Sequence, residues 1–470
     1  MPALDVFEAQ LGGLAERGRL RALAPRAGLD FSSNDYLGLA ASRRIGGVLA
    51  AALARGTPIG AGGSRLLRGN APEHEQLEQA AASFFHAERT LFFGGGYTAN
   101  FALFSTLPQS ADLILADELV HASTREGMRA GRAATQAIAH NDCGAFEDGI
   151  RAWRNRGNRG RVWIAIESLY SMDGDRAPLG ELMAVADRHD AFLMIDEAHA
   201  TGVFGPDGRG LAAAFEGRAN VIVMHTCGKA LGGCGALVSA PRVLCDFVVN
   251  RCRPFIYSTA PSPLMALAAL EALAILKDEP QRRTRLAALV SRAGEACARR
   301  CGVTASGSQI LPVVIGDDRR TVGIAAAQYR AQGLQRVLLP AGRRKWNAID
   351  VEQQRRIILG ERPARSNRHR ADGVAVVAVL HDHDARAALA PMAPETERHF
   401  QRHLDAGGAA VREEHARHAA RRHVDQPGGQ GFGGLVGEFG ENHLVERFDL
   451  RPDGGDDARM TMTMGDHPPG

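Results

Sequence analysis

Lys229 is the residue whose type and setting most directly suggest chemistry. Of the chain's 56 basic residues only three are lysines, Lys229, Lys277 and Lys345. A sequence so biased toward arginine uses it wherever a generic positive charge will do, so a retained lysine points to a need for an amine. Lys229 stands in VIVMHTCGKALGGCGALV (221–238), where an apolar run ends, Thr226 and Gly228 follow, and a glycine-rich segment begins. Flanking glycines and apolar residues partly desolvate the amine, and burial disfavours its charged form. A neutral amine can attack an aldehyde and later act as a base. The segment is not a phosphate-binding P-loop, because the GxxxxGK[ST] spacing is absent.

Other residues could serve the same chemistry. Asp196 follows the apolar run AFLMI, and His199 lies three residues on. A carboxylate there could pair with a protonated ring nitrogen, and His199 could hydrogen-bond a phenolic oxygen of the same ring. An isolated DExH is otherwise a satisfied turn, or a metal pair lacking its other ligands. Asp196 and Lys229 lie 33 positions apart, which suits one helix and one further strand. Gly94, Gly95 and Gly96 precede a helical run, and free N–H groups at a helix start can hold a phosphate. His121 could stack on a ring and Ser171 could contact it, against the plainer readings of a structural histidine and a turn serine.

These residues need a frame. Short apolar runs at Asp112–Leu115, Val162–Ile166, Ala191–Ile195 and Val221–Met224 read as strands, and Leu179–Arg188 has helical spacing. The alternation predicts an α/β fold with a mostly parallel sheet and helices on both faces. Ligands in such sheets sit beyond the carboxyl ends of the strands, where Asp196, Lys229 and Ser171 fall. Ser262–Arg300 reads as helix broken only by Pro280, and Ile310–Ile315 as the strand that opens a smaller domain. The chain has 470 residues and a net charge of +3, too slight to suggest nucleic acid or an anionic membrane as partner. No stretch approaches the roughly 20 apolar residues of a membrane span, and no signal peptide is evident. Seven cysteines without a CxxC pair read as reduced thiols, which predicts a cytoplasmic protein without a metal site.

Eight ordered blocks together resemble the α-oxoamine synthase family of fold-type I pyridoxal-5'-phosphate (PLP) transferases. They are FSSNDYLGLA (31–40), GAGGSRLLRGN (60–70), GGGYTAN (94–100), ELVHAS (118–123), ESLYSMDGDRAPL (167–179), DEAHATGVFGPDGRG (196–210), TCGKALGG (226–233) and YSTAPSP (257–263). The resemblance implies that Lys229 carries the cofactor as a Schiff base and Asp196 pairs with the ring nitrogen. His121 would stack on the ring, and His199 and Ser171 would contact its phenolic side. Gly96, Tyr97 and Thr226 would hold cofactor, largely its phosphate. Ser258 or Thr259 would reach the phosphate of a neighbouring subunit, since the family implies a homodimer. Arg21, or Arg19 in its place, would meet the acyl substrate, with Asn34 and His121 also on the substrate side. The implied reaction is a decarboxylative condensation of L-alanine with pimeloyl-CoA or pimeloyl-acyl carrier protein. Other members condense glycine with acetyl- or succinyl-CoA, or serine with a fatty acyl-CoA.

The implied layout is an N-terminal arm over 1–45, a large PLP-binding domain over 46–260, linking helices and the start of the small domain over 261–327, and an atypical tail over 328–470. Ten of the 17 histidines lie in that tail, with dense Arg, Gly, Asp and Pro and neither helical nor strand periodicity. It reads as poorly ordered. The proline-rich turn and the carboxylate-binding arginine that the family carries there are not recognisable in PAGRRKWNAID (340–350) or RRIILGERPARSN (355–367). A reading-frame shift near Ala327 in a GC-rich gene would produce such text and could leave a PLP-binding but inactive protein. Translating the other frames of the coding DNA beyond codon 327 should then return the family's C-terminal pattern; frames without it refute the shift.

Overall fold

The computed structural model describes residues 2–16, 20, 21, 23, 32–302, 304–314 and 375–379. The chain divides into two compact units. Described residues from Ser32 to Pro312 belong to one; the N-terminal helix and Arg21 belong to the other.

The first unit is built on seven strands: β1 (Arg89–Phe93), β2 (Leu113–Asp117), β3 (Ala134–Ile138), β4 (Val162–Glu167), β5 (Ala191–Asp196), β6 (Val221–Thr226) and β7 (Ala236–Ala240). Their spatial order is β1-β7-β6-β5-β4-β2-β3. β7 runs antiparallel to both neighbours, and every other pair is parallel. The four apolar runs expected as strands fall on β2, β4, β5 and β6. β8 (Ile310–Val314), expected from the sequence, forms a separate two-stranded sheet with β9 (Ala375–Val379). β9 falls in the stretch where the sequence shows no strand periodicity.

The helices are α1 (Pro2–Glu16), α2 (Arg43–Ala54), α3 (Pro72–Phe85), α4 (Gly96–Thr106), α5 (Ala122–Ala130), α6 (Cys143–Asn155), α7 (Leu179–Arg188), α8 (Arg242–Arg251), α9 (Arg253–Ile256), α10 (Pro263–Asp278) and α11 (Gln281–Cys301). Side chains alternate across a strand, and here both faces are covered. Val162, Ile164 and Ile166 of β4 join Phe146, Ile150 and Trp153 of α6 and Leu182 and Met183 of α7 in one core. Trp163 and Ala165 of the same strand pack with Ala99, Leu103 and Phe104 of α4 and Val248 of α8 in the other. A strand buried on both sides must be apolar throughout, which is why β4, β5 and β6 read so plainly in the sequence.

The connection after β5 is held by Glu197, a fully buried carboxylate that accepts from Leu211 N (3.1 Å) and Ala212 N (2.6 Å). Gly210 lies against it in the left-handed region (φ 109°), and a Cβ there would sit 2.2 Å from Glu197 Oε2. Gly180 in α7 has open space around its Cβ position. Gly210→Ala should therefore destabilise the fold by about 2 kcal/mol or more, and Gly180→Ala should be neutral or stabilising by up to about 1 kcal/mol. Urea midpoints measure both; equal midpoints for the two variants refute the tight packing at Gly210.

Candidate functional site

The parallel register brings the functional groups to one edge of the sheet. Glu167 at the end of β4 is paired with Asp196 at the end of β5, and Asp196 with Met224 of β6, two residues before Thr226. The chain then turns after Thr226, whose Oγ1 accepts from Gly228 N (3.3 Å), and presents Lys229.

Two hydrogen-bonded chains organise this edge. In the first, Lys229 Nζ meets His199 Nε2. His199 Nδ1 lies 2.5 Å from the Tyr36 hydroxyl, which donates to Asn34 Oδ1 (3.1 Å). With the Tyr36 hydroxyl donating to Asn34, the tautomer in which His199 Nδ1–H donates to Tyr36 leaves Nε2 to accept from the lysine. That sequence of donors requires a neutral imidazole. Burial pushes the His199 pKa well below its usual value, and the charges of Lys229 and His121 push the same way. Gln309 Nε2 fixes the backbone at the same residue by donating to His199 O (2.7 Å).

In the second chain, Asn100 Nδ2 donates to Asp196 Oδ2 (2.7 Å) and to Ser123 Oγ (3.1 Å). The Ser123 hydroxyl meets His121 Nδ1 at 2.8 Å. Ala198 N donates to Asp196 Oδ1 (2.8 Å). A carboxylate has about four acceptor positions, so Asp196 is oriented without being saturated. His121 caps α5 and presents its exposed ring edge-on to Tyr97, with centroids 6.2 Å apart.

Gly95 caps α4 without a side chain, and Gly96 opens the helix. A Cβ on Gly96 would stand 3.4 Å from Thr226 Oγ1, so glycine lets the helix start lie against the turn that leads to Lys229. The N–H groups of a helix start and the helix dipole suit an anion there. Ser171 lies in the hairpin after β4, where its N–H donates to Glu167 Oε2 (3.3 Å).

The structure thus gathers Lys229, His199, Asp196, His121, Thr226, Gly96, Tyr97 and Asn34 into two hydrogen-bonded chains and one helix start, with Ser171 joined through Glu167. Thr259 pairs with Ser64 on an exposed stretch beside Ser258. Arg21 lies in the other unit, and Arg19 falls outside the described residues. Tyr36, Asn100, Ser123 and Glu167 were not singled out from the sequence, although each lies inside a family block. The assembled groups fit PLP: an amine for its aldehyde, a carboxylate for its ring nitrogen, a histidine for its phenolic oxygen and an open helix start for its phosphate.

Residues 26–343 match the family Aminotransferase class I and II. The chain belongs to this family. Its members are PLP-dependent enzymes, and the curated relatives of this chain are acyltransferases among them. The 8-amino-7-oxononanoate synthase of Anaeromyxobacter dehalogenans is 40% identical over 353 residues, covering 72% of this chain and 87% of the relative. Sphingomonas wittichii serine palmitoyltransferase superposes with a TM-score of 0.62 at 26% identity, covering 77% of this chain and 95% of that one. A serine palmitoyltransferase solved with PLP gives a TM-score of 0.65 at 22% identity, covering 87% and 98%, and bears on the fold alone. The family fold agrees with the mostly parallel sheet described above.

Glu167 adds a charge constraint. It is buried beside Asp196, and its Oε1 has no hydrogen-bond partner among the described residues. Burial, then the Asp196 charge, raises its pKa well above the carboxylate range, while Lys229 and the Ser171 N–H pull the other way without overcoming them. Its folded pKa therefore exceeds the unfolded value of about 4.3. Its contribution to stability is complete below that value and declines as pH rises toward the folded pKa. Glu167→Gln cannot titrate, so its urea midpoint should climb relative to wild type as pH rises above about 5; a constant difference refutes a neutral Glu167.

Proposed function

We propose that this chain catalyses the PLP-dependent condensation of L-alanine with a pimeloyl thioester, carried on CoA or acyl carrier protein. The products are 8-amino-7-oxononanoate, carbon dioxide and the free thiol, in biotin biosynthesis. The observation that carries the reading is 40% identity across 87% of an 8-amino-7-oxononanoate synthase, in a chain whose Lys229, His199 and Asp196 share one sheet edge.

Lys229 would hold PLP covalently, Asp196 would take its ring nitrogen, and His199 and Ser171 would meet its phenolic oxygen. His121 would cover the ring. Gly96, Tyr97 and Thr226 would take the phosphate, joined by Thr259 of a second copy in a homodimer. When bound, PLP supplies an electron sink for the amino-acid α-carbon that loses its proton. The chain's own residues do the positioning and the proton transfer. Asn100 and Ala198 hold the Asp196 carboxylate in one plane. The His199–Tyr36–Asn34 chain holds the lysine amine against one neutral acceptor. Lys229 would also serve as the base that takes the proton from the alanine α-carbon, a role worth about 10²–10⁴-fold in rate. Asn34, Arg21 and His121 would contact the substrates.

A second reading is a PLP-binding chain with weak turnover, supported by the family pattern being unrecognisable beyond about residue 327. Glycine- or serine-using relatives of the reaction are separated by substrate tests. Borohydride reduction of the PLP-loaded full-length chain should fix the cofactor on Lys229, and Lys229→Ala should abolish labelling and lower kcat by at least about 10²-fold. The wild type should prefer L-alanine to glycine and restore growth of a biotin-requiring strain. Labelling at another residue, or at none, refutes the cofactor assignment. Labelling at Lys229 without product supports the second reading.

A further inference from the structure

His121 and Ser171 arrive from two separate connections, the turn after β2 and the hairpin after β4. Between these connections lies His140. Its Nδ1 is 2.9 Å from Asp117 Oδ1 and its Nε2 is 2.7 Å from Asp175 Oδ2. Ionised carboxylates accept and do not donate, so both ring nitrogens must donate, and the ring bridging them is an imidazolium.

Each carboxylate belongs to one of the two connections. Asp117 is the buried last residue of β2, and it accepts from Leu119 N (2.8 Å) and Asn141 N (2.8 Å), which shapes the turn leading to His121. Glu118 in that turn accepts from His140 N (3.2 Å). Asp175 lies on the hairpin that carries Ser171, closed by Tyr170 N to Asp175 O (3.0 Å) and Ala177 N to Ser168 O (3.1 Å). Asn141 Nδ2 also donates to Asp175 Oδ2 (3.0 Å). Asn141 has φ 56°, a left-handed conformation that few non-glycine residues adopt. That conformation lets its N–H reach Asp117 while its side chain reaches Asp175.

We infer that His140 is a positioning residue: held between Asp117 and Asp175, it locks the turn that carries His121 to the hairpin that carries Ser171. The importance of those two side chains to catalysis rests on the function proposed above, whereas the lock itself does not.

The titratable groups facing His140 are Asp117 from β2, Glu118 from the following turn, and Asp175 and Tyr170 from the hairpin, with the Tyr170 ring edge-on at 4.5 Å. Burial opposes a charge on His140, but the two carboxylates outweigh it and carry its pKa up to about 9. The folded value lies above the unfolded value of about 6.5. The lock is therefore complete below about pH 6.5 and is lost as pH rises through about 9.

Hydrogen exchange read by mass spectrometry on the full chain without cofactor tests this, comparing wild type with His140→Gln and Asp175→Asn. Amides of 117–121 and 168–177 should exchange at least about tenfold faster in both variants at neutral pH, with β5 and β6 unchanged. Wild type should show the same selective loosening between about pH 7 and pH 10 after correction for intrinsic rates. Unchanged exchange in the two segments overturns the inference, and so does a uniform rise across the whole sheet, which would make His140 a general stabiliser. Neither result depends on cofactor, so a failure of Lys229 labelling would sink the proposed function and leave this measurement to decide the lock.

Discussion

A sheet covered on both faces leaves polar side chains only its strand ends, and the parallel register of β4, β5 and β6 decides which ones meet there. Glu167 stands opposite Asp196, and Asp196 opposite Met224, because Val162 pairs with Ala191 and Leu193 with Val221. Side chains alternate with period two, so a slip of one residue in β5 would turn Ile195 to the face now occupied by Asp196. It would bury a carboxylate in one core and withdraw Leu193 and Ile195 from the other. The cores that bury Leu193, Met194 and Ile195 therefore also hold Asp196 in place.

The same crowding sets the charge of the edge. Two carboxylates side by side in a buried place cannot both be ionised cheaply. Burial beside Asp196 raises the Glu167 pKa, and among the described residues its carboxyl accepts from the Ser171 amide, whereas Asp196 accepts from Asn100 and Ala198. His199, buried with the lysine on one nitrogen and Tyr36 on the other, stays neutral and gives the amine an acceptor without a competing charge.

How much of this the sequence displayed depended on the range of the interaction. Lys229, Asp196 and His199 stood out because each follows an apolar strand by a few residues, and α7 was readable to its ends because its periodicity is local. β3, with residues 134–137 exposed, has no apolar run to mark it, and β7 is short and rich in small residues. Tyr36 and His199 are 163 positions apart, Asn100 and Asp196 96. No spacing rule links such pairs, so the hydrogen-bonded chains that orient the recognised residues became visible only in the fold. His140 was hidden for the same reason, since its two carboxylates come from connections 23 positions before it and 35 after it.

The first strand of the smaller sheet is built into this arrangement. Gly174, at φ 67°, packs so closely that a Cβ would sit 2.4 Å from Ile310 O. Gln309 donates to His199 O, and Arg176 reaches Gly307 O (3.4 Å). The segment 307–310 thus braces both the Ser171 hairpin and the histidine that meets Lys229. The residues proposed for the ring, the phosphate and the amine all lie before this brace, between Gly96 and Thr259. The brace therefore ties the Ser171 hairpin and His199 to the start of β8. Every residue of the two hydrogen-bonded chains at the sheet edge lies before β8.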